Sequence, residues 1–214
     1  MGTNVTIKDA AGNSSSLTLP ATTAAGSLGT NKAIVVDGIA PTVTSVSSST
    51  ANGTYQIGSL ISIQVSFSEV VNVVGIPTLA LNAGGSASAT YLSGTGSTVL
   101  NFSYTVAAGQ SVADLNYSAT TSLAVGSGVT IQDAAGNAAS LTLPTTTAAG
   151  SLGANKAMVV DGIAPTVTSV SSSTGNGTYR IGNVISIQVT LSEAVSVVGS
   201  PTLVLNAGGS ASAT

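Results

Sequence analysis

The chain has 214 residues, with four Lys or Arg against seven Asp or Glu and a net charge of −3. It is long enough to bury a core, but it has no cationic patch able to neutralise phosphates, which argues against nucleic-acid binding. Histidine and cysteine are both absent, which removes disulfides, thiolate metal sites and histidine-dependent acid–base or nucleophilic chemistry.

Hydrophobic residues make up 43% of the chain, mostly small or β-branched, so it should fold rather than stay disordered. No apolar run approaches the roughly 20 residues of a spanning helix. No basic amphipathic stretch suits a membrane surface, so no membrane insertion is expected, and Met1–Asn4 lacks the pattern of a signal peptide.

From the N-terminus, the chain passes through the loop Asp9-Ala10-Ala11-Gly12-Asn13 to an apolar stretch ending at Asp37. The segment Val35 to Thr50 then returns almost letter for letter at Val159 to Thr174. Apolar residues enter an Asp-Gly turn, a proline fixes the backbone and removes a donor, and an alternating strand begins. Asp37 maps to Asp161, so the period is 161 − 37 = 124 residues, and residues 1–90 match 125–214 without a gap, differing at 19 of 90 positions.

Repetition this faithful predicts tandem modules. Residues 38–161 are a complete repeat, 1–37 the C-terminal part of a truncated one, and 162–214 the N-terminal part of another. Neither part can close its own core, so the chain reads as a segment of a longer array in which Met1 need not be a natural start.

Inside the complete repeat the hydrophobic period is two. Ile61, Ile63, Val65 and Phe67 alternate with Ser62, Gln64 and Ser66, and Leu100, Phe102, Tyr104 and Val106 alternate with Asn101, Ser103 and Thr105. Both runs read as central strands with one face inward. Shorter strands are predicted at 42–48, 78–82, 88–93, 129–132, 139–143 and 157–161, with turns at Asn52-Gly53, Gly84-Gly85 and Gly94-Thr95-Gly96. Residues 110–119 fit a strand or a helical turn, and 145–156 a long loop or an interruption of the last strand. About seven to nine short strands without helical periodicity predict an all-β fold, an immunoglobulin-like Greek-key β-sandwich. Its core must be filled by Val, Ile, Leu and Ala.

Catalysis has little to work with. A Ser–Lys pair through Lys156, or a Lys–Asn cross-link assisted by Glu69, are formal alternatives to a Lys on a solvated strand end, and the last is the simpler reading. No enzyme activity is expected.

The carboxylates carry more information. Six of the seven form repeat-related pairs: Asp9 and Asp133 in the Asp-Ala-Ala-Gly-Asn loop, Asp37 and Asp161 in the linker, and Glu69 and Glu193 in Ser-Glu at the end of a strand. In a sandwich of this type the second strand runs back toward the linker, bringing Glu69 near Asp37 and Glu193 near Asp161. Two placements of the loop are open, depending on strand parity. Asp133 and Asn137 join either Asp37 and Glu69 or, at the opposite pole, Asp161 and Glu193. Either arrangement offers oxygen ligands for a hard cation such as calcium (Ca2+) at a seam between modules. The alternative is that Asp and Asn beside Gly are simply turn formers.

Four motifs occur together: Val-Asp-x-x-Ala-Pro-Thr-Val from Val36, Phe67-Ser68-Glu69-x-Val71, Pro77-Thr78-Leu79-x-Leu81-Asn82, and Ile131-x-Asp133-Ala134-Ala135-Gly136-Asn137. Across essentially the whole chain this combination resembles the bacterial immunoglobulin-like repeats of very large secreted or surface-attached adhesins. The resemblance implies a sandwich fold, an extracellular or bacterial cell-surface location, neighbouring repeats as partners, a spacer role and calcium at module junctions. Relatives often carry Thr after the linker Asp, whereas Gly38-Ile39 and Gly162-Ile163 offer no side-chain oxygen here. The alternative function is a module whose polar loops themselves bind a host or surface glycan or protein.

Overall fold

A computed structural model describes residues 6–208 and 211–214. The chain forms two compact units, residues 1–39 and 40–214. In the first, an antiparallel bridge between Lys8 and Ser14 closes the Asp9–Asn13 loop. A one-turn helix α1 (Leu28–Asn31) follows, with Ser27 as its N-cap accepting from the Thr30 N–H. Its apolar residues find little cover: Leu28 is 69% exposed and Val36 91%.

The second unit begins with β1 (Val43–Ser48), β2 (Gly53–Gln56), β3 (Leu60–Val74), β4 (Thr78–Ala80) and β5 (Ser88–Ser93). It continues through β6 (Ser97–Thr105), β7 (Ser111–Val112), β8 (Leu123–Ala124), β9 (Thr130–Gln132), the one-turn helix α2 (Leu152–Asn155) and β10 (Met158–Asp161). One sheet has the order β1-β3-β6-β5-β4-β8, with β9 added to β3, and the other has the order β2-β10-β7. The fold is all-β apart from the two short helices, as the alternating pattern requires.

β3 and β6 are central because their alternating β-branched and aromatic side chains suit a half-buried pleat. Ile61, Ile63, Val65, Leu100 and Phe102 have no exposed surface, and Ile63 lies directly opposite Phe102. Each such side chain contributes about 1.5–3 kcal/mol on burial. Tyr91 packs edge-on against Phe102, with ring centroids 5.9 Å apart. Residues of both sheets and of α2, including Leu152, Met158 and Val160, belong to one buried cluster with Tyr117.

Several elements differ from the sequence reading. β3 runs on to Val74 because its last three residues pair with β9 rather than β6. Residues 139–143 form no strand and make isolated backbone contacts instead, Ser140 bridging to Thr42 and the Ala139 N–H donating to the Ile131 carbonyl at 2.9 Å. Residues 110–119 hold little regular structure beyond the two-residue β7, and α2 lies inside the predicted loop 145–156.

Past Asp161 come β11 (Val167–Ser172), β12 (Ile187–Leu191), β13 (Leu203–Val204) and β14 (Ser212–Ala213). β11 and β12 pair as β1 and β3 do, shift of register included. β13 and β14 pair as β4 and β5 do.

Candidate metal centre

Backbone register alone brings two of the predicted carboxylates together. Pairing of β3 with β6 is irregular between Ser66 and Val71, and Glu69 falls inside that stretch. Beyond it, Asn72 pairs antiparallel with Gln132, so Asp133, one step past β9, comes back beside Glu69. Their carboxylate oxygens lie within 4.8 Å of one another. Of the two placements left open by the sequence, the geometry has Asp133 with Glu69.

Asp133 is only 4% exposed, and its loop explains how a carboxylate is kept there. The Asn137 backbone N–H donates to Oδ1 at 2.8 Å, and the Asn137 side-chain amide donates to Oδ2 at 2.7 Å. Gly136 has φ +93°, a left-handed conformation that favours glycine. The Asn137 side chain, with help from the backbone N–H groups of residues 135–137, holds the Asp133 carboxyl below the usual aspartate range while burial pushes the other way. Asp133 is therefore an anion in a fixed orientation.

The Asp9 loop in the first unit is built the same way. Asn13 donates through its N–H at 2.9 Å and its side-chain amide at 2.8 Å, and Asp9 is likewise held below the usual range, chiefly by the Asn13 side chain. The turn folds identically in both settings, so its carboxylate is first a turn former.

The linker aspartates also close turns: Asp37 Oδ1 accepts from the Ile39 N–H at 3.1 Å, and Asp161 Oδ1 from the Ile163 N–H at 3.2 Å. Asp37 is exposed and belongs to the first unit. Asp161 and Glu193 line one open cleft of about 760 Å³, together with Gln56, Ser59 and Pro165. Among the described residues, neither they nor Asp9 join a group of three acidic donors. Lys156 reaches back to donate to the Thr50 carbonyl at 3.1 Å.

Just past Asp161 the backbone is locked by bonds that no sequence motif announces. The Gly162 N–H donates to the Gln110 carbonyl at 2.7 Å, and the Gly109 N–H donates to the Gly162 carbonyl at 2.8 Å. Buried Gln110 also accepts through Oε1 from the Tyr104 hydroxyl at 2.7 Å and the Ala107 N–H at 2.8 Å. The available signal was a glycine immediately after the linker aspartate, where no left-handed turn demands it.

No protein-family model, curated protein or solved structure matches this chain. Among the described residues, no helix is long and apolar enough to cross a membrane.

Proposed function

We propose that this chain is a run of spacer modules from a bacterial secreted or cell-surface adhesin. Each repeat would fold as an immunoglobulin-like Greek-key β-sandwich, with calcium held where one repeat meets the next. The observation that carries this reading is that structure repeats with sequence: the β11–β12 hairpin reproduces the register of β1–β3, irregularity included. A fold that is copied unit by unit gains length by copy number, because each unit packs mainly on its neighbours. The linker, Ser-Glu and Asp-Ala-Ala-Gly-Asn motifs and their resemblance to adhesin repeats support the extracellular setting.

The proposed calcium ligands are Glu69 and Asp133, whose carboxylate oxygens lie close together, and the linker aspartate Asp37 that the repeat pattern supplies. All are oxygen donors, which suits a hard cation, and backbone carbonyls or water would supply the remaining positions of a six- to eight-fold shell. Asn137 orients Asp133 from behind. Asp37 lies four residues before Pro41, whose carbonyl accepts from the Ser140 N–H at 2.8 Å, so about 14 Å of extended chain tethers it to that point. Asp161 and Glu193 occupy the corresponding positions at the second junction.

A broad glycan and host-protein array probed with the full chain tests the spacer role. Absence of repeatable binding is expected. Saturable binding that a single loop substitution abolishes would transfer the reading to a recognition module.

A further inference from the structure

Residues 162–214 carry an apolar groove of about 730 Å³ whose lining includes Ile187, Val189, Leu191, Val195, Leu203 and Ala213. One period earlier these positions are Ile63, Val65, Phe67, Val71, Leu79 and Ala89, and each of those is buried, none more than 4% exposed. Val189 is 45% exposed where Val65 is fully covered. The complete repeat therefore records what closes such a groove.

There β6 runs between β3 and β5 and pairs with both, Phe102 lying opposite Ile63 on one side and Tyr91 on the other. Leu143, Leu152 and Met158 are buried in the same cluster. Among the described residues, β12 pairs only with β11, and β14 only with β13. The two hairpins already hold the register they have in the complete repeat, and among the described residues no strand lies between them.

A second sign lies at 177–180. Its counterpart Gly53–Gln56 is a strand that pairs in parallel with β10, whereas 177–180, without such a partner, has no strand.

We propose that residues 162–214 are a preformed acceptor for one polypeptide, a further copy of the segment 91–161. Its Ser97–Thr105 strand would enter between β12 and β14 with Leu100, Phe102 and Tyr104 facing inward, and its Met158–Asp161 strand would order 177–180. The inference rests on the repeat and its burial pattern, and it stands whether or not the chain binds calcium or belongs to an adhesin.

The test adds a fluorescent recombinant polypeptide of residues 91–161 to the full chain, with anisotropy and amide hydrogen exchange as readouts. Saturable one-to-one binding is expected, with slowed exchange in Ile187–Leu191 and unchanged exchange in Leu60–Val74. Phe102→Asp in the added polypeptide should weaken binding about a hundredfold or more, whereas Thr105→Asp, at a position exposed in the complete repeat, should leave it within a fewfold. Absence of binding, indifference to Phe102→Asp, or protection of Ile187–Leu191 by self-association of the chain alone would overturn the proposal. The last outcome would assign the groove to a second copy.

Discussion

The Gly162 N–H donates to the Gln110 carbonyl at 2.7 Å, and this bond ties the linker to the body of the repeat before it. A Cβ on Gly162 would lie 2.4 Å from the Ala107 carbonyl oxygen and 2.6 Å from that of Gln110, both parts of a backbone that cannot rotate away. The repeat-related Gly38 has nothing within 4 Å of the same position.

Gly162→Ala should therefore lower stability by about 1–3 kcal/mol, the usual cost of overpacking, and Gly38→Ala by no more than about 0.5 kcal/mol. Urea unfolding of the two variants makes the comparison. Equal effects would mean that the linker glycine serves only the turn.

A second repeat-related pair tests the core. Leu152 is fully buried, and Leu28, the same position one period earlier, is 69% exposed. Leu152→Ala should cost about 2–5 kcal/mol through the cavity it leaves, and Leu28→Ala close to nothing. Thermal unfolding of both variants decides it.

Alkaline pH should loosen the complete repeat. Burial raises the Tyr104 hydroxyl above its ordinary value of 10.0, and Tyr117 is raised for the same reason. A group whose pKa is higher folded than unfolded contributes stability that is complete below the unfolded value and is lost as pH climbs through the folded one. The melting temperature should accordingly be flat to about pH 10 and fall beyond it. Tyr104→Phe should reduce that fall and also leave Gln110 Oε1 one donor short.

Acid should act on the Asp133 loop with the opposite sign. The carboxyl is held below 3.8, so its stabilising bonds are complete above the ordinary aspartate pKa and are lost as pH falls through the lower, folded value. Carboxyl titration by NMR should find Asp133 ionising below 3.8, and Asn137→Ala should move that midpoint upward. An unmoved midpoint would show that the side-chain amide does not govern the charge.

Calcium at about a hundred times its Kd should raise the melting temperature by roughly 5–10 °C, and a chelator should reverse the rise. Asp37→Ala combined with Glu69→Ala should remove the difference. A calcium response that survives this double substitution would place the ion elsewhere.

The central strands were legible because Ile61 to Phe67 and Leu100 to Tyr104 alternate without interruption, and a sheet buried on one face leaves no other solution. The short strands were not. Gly53–Gln56 pairs with β10, and nearly the same sequence at 177–180, lacking that partner, forms no strand. Residues 139–143 alternate too, but their backbone groups are spent elsewhere, with the Ser140 N–H donating to the Pro41 carbonyl.

At the candidate site the residue types could be read directly, since Asp, Glu and Asn recur in matching positions. Their grouping was left between two alternatives, because the choice depends on Asn72 meeting Gln132, a register that no local pattern announces. The Gly162 contact was hidden for a related reason: a missing side chain leaves no periodic trace.

The two bonds around Gly162 also carry a geometric consequence. A connector bolted to the strands behind it cannot swivel at its root, so the chain leaves Asp161 along a set line and any freedom of direction begins only past Gly162.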